Sequence, residues 1–151
     1  MLFKPQLRVL CVDDDEDSRV MLITLLRLAL IEAKAVGTGA QALSLMQRER
    51  FDLYLLDGWL PGLDGFELCR QMRAFDPHTP ILFFSGAAYE ADKKRGIEAG
   101  ANAYLVKPDV DGLVGSITQL VSDAERATAK VIPFRRKMCF SPPFTFQPAA
   151  A

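Results

Sequence analysis

Short apolar segments alternate along this chain with longer segments of helical periodicity, and this alternation strongly limits the possible folds. The apolar segments are rich in strand-forming residues and end at turn residues such as Asp, Gly or Ser. Continuous apolar runs of this length are typical of strands buried on both faces of a parallel sheet. The predicted strands are RVLCV (8–12), LYLL (53–56), PILFF (80–84), NAYLV (102–106) and the weaker EAKAVG (32–37).

A helical segment follows each of these strands, and in the last one Leu113, Ile117 and Val121 recur on one face. The order βαβαβαβαβα implies parallel strands joined by right-handed crossovers. Because a closed barrel would need about 250 residues, the chain predicts a doubly wound α/β fold, a five-stranded parallel sheet flanked by five helices. The predicted helices are 18–30, 40–50, 65–75, 89–99 and 111–125.

The periodic pattern stops near residue 126, which predicts a domain at 1–126 and a basic tail at 127–151. The domain carries 14 basic and 19 acidic residues, whereas the tail carries four basic and no acidic residues. Since nonspecific nucleic-acid binding requires a concentrated basic surface, nucleic acid is not an expected partner. The Pro- and Phe-containing tail is expected to be disordered, or alternatively to anchor a partner through its phenylalanines.

The sequence predicts a cytoplasmic protein without membrane insertion. Cys11, Cys69 and Cys139 are too widely spaced to suggest a disulfide framework or a zinc site. The longest apolar stretch, 20–31, is interrupted by polar residues and is too short to span a bilayer.

Polar residues follow the predicted strands at the place where ligands bind in a doubly wound sheet, beyond the carboxyl ends of the strands. Converging carboxylates repel one another unless a cation lies among them, and an all-oxygen set favours Mg²⁺ or Mn²⁺ over zinc. Mg²⁺ favours phosphate as a further ligand, which a hydroxyl and an ammonium group can also bind. The candidate residues are Asp13, Asp14, Asp57, Ser85 and Lys107.

A carboxylate beside a metal, a lysine and a hydroxyl is suited to forming an aspartyl phosphate. Asp57 is the candidate nucleophile because it stands alone at the end of a central apolar strand. Taken singly, each candidate has a commoner explanation as a helix cap, a turn residue or a solvated lysine. Because all of them are expected at the carboxyl ends of the strands, a shared binding or reactive site is favoured over these separate explanations.

At these residues the chain resembles the receiver domain of two-component response regulators. The resemblance rests on CVDD, LLDGWLPGLDGFEL, FFSG and GANAYLVKP, which occur in the family's order and spacing over residues 7–125. It implies a flavodoxin-like sheet with strand order 2-1-3-4-5. It also implies a phosphorelay protein with Mg²⁺ as cofactor that accepts a phosphoryl group from a histidine kinase or phosphotransfer protein. Such a protein is not an enzyme beyond its own phosphorylation and dephosphorylation.

The resemblance also implies a role for each residue of the metal site. Asp57 corresponds to the phosphoacceptor and binds the metal as well. Asp14 corresponds to a direct metal ligand, and Asp13 acts through water. The backbone carbonyl of Trp59 completes the protein's share of the metal ligands.

Further roles implied by the resemblance concern the phosphoryl group and the switch. Lys107 would contact the phosphoryl oxygens, with a cis peptide bond before Pro108. Ser85 would move towards the phosphoryl group, and Tyr104 would turn inward after it. The face formed by the fourth helix, the last strand and the fifth helix would then change its affinity for a downstream protein, which the sequence does not identify. With no output domain recognisable after residue 126, a stand-alone receiver is expected.

Other functions fit parts of the pattern. A pseudo-receiver would bind a partner without taking phosphate, although the complete set of site residues argues against it. A haloacid-dehalogenase-type phosphatase would use Asp13 and Asp15, but Asp17 replaces the usual Thr or Val, and little chain is left for a cap. An EF-hand is excluded because Ser18 and Thr24 stand where its loop requires Gly and Glu.

The five consecutive acidic residues at 13–17 are expected to divide into two groups. The first two would hold Mg²⁺, whereas Asp15, Glu16 and Asp17 would cap the following helix and complement its dipole. Departures from the family pattern occur at Gly58, Trp59 and Asp109.

Overall fold

The structure, a computed structural model, describes residues 6–131 and consists of five strands that alternate with five helices. The strands are β1 (Arg8–Val12), β2 (Glu32–Val36), β3 (Leu53–Leu56), β4 (Ile81–Ser85) and β5 (Ala103–Val106). The helices are α1 (Glu16–Leu28), α2 (Gly39–Arg48), α3 (Gly65–Phe75), α4 (Glu90–Glu98) and α5 (Val110–Val131).

All neighbouring strands are parallel, and they lie in the order β2-β1-β3-β4-β5. The predicted doubly wound fold is therefore confirmed. The chain moves from β1 outward to β2 and then returns past β1 to β3, so the strand order reverses between β1 and β3. In such a sheet the ligand crevice lies beyond the carboxyl ends of these two strands.

Two apolar cores cover the two faces of the sheet. Successive residues of β1 point to opposite faces, so that Leu10 and Val12 belong to one core and Val9 and Cys11 to the other. Side chains of α2 and α3 complete the first core, and those of α1 and α5 complete the second. The result is a three-layer sandwich in which β2, at the edge, is the most exposed strand.

Helix boundaries differ most from the prediction at α1 and α5. The first helix begins at Glu16 rather than at residue 18, because the side chain of Asp15 accepts a hydrogen bond from the Ser18 amide and caps the helix. The last helix continues to Val131, through residues that the sequence assigned to the tail. The rest of the predicted tail, including Cys139, lies outside the described residues.

The described cysteines and helices agree with a chain without disulfides or membrane-spanning helices in this part. Cys11 and Cys69 are buried free thiols. Among the described helices, none is both long and apolar enough to cross a bilayer.

Candidate functional site

Backbone hydrogen bonds hold the residues that follow the strands at the carboxyl-terminal edge of the sheet, where the parallel strands end. The Asp57 amide donates to the carbonyl oxygen of Val12 at 3.0 Å, and the Lys107 amide donates to that of Ser85 at 2.9 Å. The Asp13 amide bonds in the same way to the end of β2. The strand ladder thus extends one residue beyond β1, β3 and β5. It places Asp13 and Asp57 where the strand order reverses and Lys107 at the same end of the sheet.

Three carboxylates converge at this edge. One oxygen from each of Asp13, Asp14 and Asp57 lies within 4.8 Å of the others. Asp13 is 1% exposed and Asp57 is 8% exposed, whereas Asp14 is open to solvent. This all-oxygen set fits a hard cation such as Mg²⁺, which takes one or two protein carboxylates and keeps several water ligands.

Lys107 places its ammonium against two of these carboxylates. Its Nζ lies 2.7 Å from Asp13 Oδ2 and 3.4 Å from Asp57 Oδ2. Burial lowers the pKa of Lys107, but its hydrogen bonds to Asp13 and Asp57 and their negative charges outweigh burial and raise that pKa overall. Lys107 is therefore charged at neutral pH and able to bind an anionic group.

Burial has the larger effect on Asp57. Removal of this carboxylate from water raises the pKa of Asp57. The charge of Lys107 and a hydrogen bond from the Trp59 amide, 3.2 Å from Oδ1, lower that pKa but compensate only in part. The ionised carboxylate is thus incompletely stabilised by the protein, and a bound cation would stabilise it further.

We expect Asp57→Asn to increase the free energy of unfolding at neutral pH by about 1 kcal/mol, a usual scale for one substitution. Since the pKa of Asp57 is raised by folding, the folded state binds this proton more tightly than the unfolded state does. Ionisation of Asp57 therefore lowers the free energy of unfolding at pH values above the pKa that Asp57 has in the folded state. This loss disappears as the pH falls through that pKa towards the lower pKa of the unfolded state.

Urea unfolding of wild type and Asp57→Asn in EDTA, near neutral pH and near pH 4, measures this difference. The difference in free energy of unfolding between Asp57→Asn and wild type should be smaller at the lower pH. An advantage that is independent of pH would contradict the assignment of the effect to Asp57 ionisation.

The two predicted switch residues are connected through Ala87. Ser85 is fully buried at the end of β4, and its Oγ accepts a hydrogen bond from the Ala87 amide at 3.3 Å. Tyr104, partly buried on β5, donates its hydroxyl to the carbonyl oxygen of Ala87 at 2.7 Å. Its ring stacks on Phe83 with 5.5 Å between ring centroids. A movement of Ser85 would therefore disturb a residue that also holds Tyr104.

The two unusual residues after Asp57 face different surroundings. A Cβ at position 58 would lie 3.1 Å from Ser85 Oγ and 3.5 Å from the Phe66 ring, so Gly58 leaves space beside the hydroxyl. Trp59, in contrast, is 64% exposed. Its backbone amide lies 3.2 Å from Asp57 Oδ1, so the sole tryptophan of the chain is attached to the backbone directly beside this carboxylate.

The acidic run occupies two different environments. Asp15 caps α1, and the hydrogen bond from the Ser18 amide lowers the pKa of Asp15. Glu16 and Asp17 lie in the first turn of the helix, where negative charge is favourable. From this run, Asp13 and Asp14 join Asp57 in the carboxylate group.

Arg19 also contacts the site, although the sequence analysis did not single it out. Its Nη1 donates to the carbonyl oxygens of Asp13 and Asp14 at 2.9 and 3.0 Å. The signal available in the sequence was its position as the first basic residue after the acidic run at 13–17.

Asp109, a departure from the family pattern, has a local explanation. Its Oδ1 accepts a hydrogen bond from the Gly112 amide at 2.9 Å, so it caps the start of α5. The cis peptide bond predicted between Lys107 and Pro108 is present.

Curated proteins similar to this chain are response regulators. The chain is 40% identical over 101 residues, 67% of its length, to the DNA-binding response regulator MtrA of Mycobacterium leprae. It is 36% identical over 102 residues, 68% of its length, to the response regulator MprA of the same organism. These matches cover 44% and 45% of the two relatives, so the chain spans less than half the length of the curated relatives it matches.

Solved receiver domains have the same fold. A CheY-like receiver domain protein from Methanospirillum hungatei has a TM-score of 0.77 at 27% identity, covering 82% of this chain and 99% of that one. The receiver domain of a Pseudomonas aeruginosa sensor histidine kinase, with a magnesium ion coordinated in its active-site cleft, has a TM-score of 0.72 at 28% identity. That match covers 78% of this chain and 99% of the other.

The family model for the response regulator receiver domain matches residues 9–118, a range that extends from β1 into α5. The carboxylate group and Lys107 lie within this range, at the edge where the strand order reverses. The chain therefore belongs to the response regulator receiver domain family of two-component systems.

Proposed function

We propose that this receiver accepts a phosphoryl group on Asp57 from a histidine kinase or phosphotransfer protein, with Mg²⁺ as cofactor, and thereby switches a protein-binding surface. The observation that carries the proposal is the environment of Asp57. One oxygen of its buried carboxylate lies within 4.8 Å of a carboxylate oxygen from Asp13 and from Asp14. Asp57 Oδ2 also lies 3.4 Å from Lys107 Nζ. A nucleophile, two further carboxylates for a cation and a fixed ammonium for phosphoryl oxygens are thus assembled at one point.

In the proposed transfer, a carboxylate oxygen of Asp57 forms a bond to phosphorus while the bond from phosphorus to the donor nitrogen breaks. The donor nitrogen leaves with the electron pair. Mg²⁺, held by Asp14, Asp57 and the Trp59 carbonyl with Asp13 acting through water, would neutralise charge on the phosphoryl oxygens. Lys107 would bind another of these oxygens.

The response to phosphorylation would pass through Ser85 and Tyr104. Ser85 would donate its hydroxyl to a phosphoryl oxygen, which would remove it from the Ala87 amide. Tyr104 would then lose its present hydrogen bond to Ala87 and turn inward. We infer that the surface of α4, β5 and α5 changes its affinity for a downstream protein, with residues 1–126 as the receiver and 127–151 as a tail.

Phosphorylation with a small donor tests the proposal. Wild-type protein incubated with Mg²⁺ and acetyl phosphate should gain the mass of one phosphoryl group in an acid-stable, base-labile form, and Asp57→Asn should gain none. Labelling at Asp13 instead would indicate an aspartyl-phosphate-forming phosphatase. A wild type that is labelled neither by acetyl phosphate nor by a cognate kinase would be a pseudo-receiver.

We expect Trp59→Ala to lose its phosphoryl group about three-fold faster than wild type, because a large exposed side chain beside the acyl phosphate limits the approach of water. The measurement is the decay of the phosphorylated form after the donor is removed. Trp59→Phe, which keeps an aromatic ring, should lie between the two. A Trp59→Ala variant that decays no faster than wild type would refute this role.

A further inference from the structure

Arg19 binds the two peptide groups on either side of Asp14. Its Nη1 donates to the carbonyl oxygen of Asp13 at 2.9 Å and to that of Asp14 at 3.0 Å. These oxygens belong to the peptide planes before and after the Asp14 Cα. A donor that binds both planes restricts the two backbone dihedral angles of Asp14 and so fixes the direction of its Cα–Cβ bond, from which the carboxylate projects.

Asp13 and Asp14 are positioned in different ways. The Asp13 carboxylate is buried and accepts hydrogen bonds from the Asp15 amide at 3.0 Å and from Lys107 Nζ at 2.7 Å. Asp14 is exposed, and the contacts from Arg19 act on its flanking backbone. The orientation of Asp14 therefore depends on Arg19 more directly than that of Asp13 does.

The end of β2 forms a slot for the Arg19 guanidinium. A Cβ at Gly37 would lie 2.9 Å from Arg19 Nη1 and 3.5 Å from its Cζ. Gly37 does not adopt a left-handed backbone conformation, so an alanine there imposes no backbone strain. Gly37→Ala would instead displace the flexible end of Arg19 and leave its charge in the protein.

We propose that Arg19 is a positioning residue for the Mg²⁺ site, which it prepares by orienting Asp14. This inference rests on the proposed function, because it assigns Asp14 as a direct metal ligand. Groups that orient metal ligands typically change metal affinity by about 10- to 100-fold when they are removed. Arg19 would thus strengthen Mg²⁺ binding although its own charge repels the ion.

The sign of the effect separates positioning from electrostatics. Removal of a positive charge near the site strengthens the binding of a divalent cation if charge alone matters. Loss of Asp14 orientation weakens it. Arg19→Met should therefore bind Mg²⁺ about ten-fold more weakly than wild type, the opposite of the purely electrostatic result.

The test is a Mg²⁺ titration followed by Trp59 fluorescence and by amide chemical shifts, with no phosphodonor present. The variants are Arg19→Met, Gly37→Ala and the control Arg27→Met, and thermal unfolding checks that each is folded. Arg27 is an exposed residue in the last turn of α1. It lies about 12 Å further along the helix axis, beyond the screening length of about 8 Å at physiological ionic strength.

We expect Arg19→Met and Gly37→Ala both to bind Mg²⁺ about ten-fold more weakly and Arg27→Met to bind it like wild type. If Arg19→Met does not fold, Gly37→Ala alone decides the result, since it keeps every charge. Wild-type affinity in either folded test variant overturns the inference about Arg19. A wild type without a Mg²⁺ response overturns the proposed function, and the inference with it.

Discussion

Asp14→Ala should reduce Mg²⁺-dependent phosphorylation of Asp57 by about 100-fold, whereas Asp17→Ala should leave it nearly unchanged. Both substitutions remove one carboxylate from an exposed position in the same acidic run. Asp14 belongs to the group of carboxylates that could hold a cation, and Asp17 lies in the first turn of α1. A difference between the variants therefore reports position and not the loss of charge.

Of these two variants, the one that keeps its phosphorylation, Asp17→Ala, should be the less stable. Asp17→Ala removes a favourable interaction with the dipole of α1 and should cost about 0.3 to 1 kcal/mol. Asp14→Ala relieves repulsion among three carboxylates and should not destabilise the fold.

Labelling rates with acetyl phosphate over a range of Mg²⁺ concentrations, together with urea unfolding, measure both effects. High Mg²⁺ should restore part of the rate of Asp14→Ala if the lost ligand is the cause. If Asp17→Ala proves as damaging to labelling as Asp14→Ala, the division of the acidic run into metal-binding and helix-capping residues is wrong.

Lys107→Gln should slow phosphorylation by about 100-fold without weakening Mg²⁺ binding. The Lys107 ammonium lies 2.7 Å from Asp13 Oδ2 and 3.4 Å from Asp57 Oδ2, so it competes with a cation for the same two carboxylates. Its removal leaves these carboxylates free to bind Mg²⁺ at least as tightly. The transferring phosphoryl group, in contrast, loses a fixed positive charge that the metal does not replace.

The measurements for Lys107→Gln are the labelling rate at saturating Mg²⁺ and the Mg²⁺ affinity from titration. Lys94→Gln is the matched control, because it makes the same charge change on α4 at a side chain that is 78% exposed. It should resemble wild type in both measurements. A Lys107→Gln variant whose Mg²⁺ affinity falls together with its labelling rate would show that Lys107 maintains the shape of the site instead of binding phosphate.

Strand order and helix ends show where sequence reasoning was sufficient and where it was not. Alternating apolar runs predicted five parallel strands, and the resemblance to receiver domains supplied their order, which the structure confirms. The boundaries of α1 and α5 were less well predicted. Asp15 was expected to cap the first helix, but periodicity does not locate the single hydrogen bond, from the Ser18 amide to Asp15, that starts the helix at Glu16.

From the sequence alone, the fold and the set of polar residues at the strand ends could be predicted, because strand and helix periods are local properties of the chain. Tertiary packing decided which carboxylates are buried and placed the Lys107 ammonium within contact of both Asp13 and Asp57. The same packing made Ala87 the residue through which the two predicted switch residues are hydrogen-bonded. It also brought Arg19 against Gly37, from a different strand-helix unit. These features depend on distances between segments that are remote in sequence, and such distances are set only when the sheet and its helices pack together.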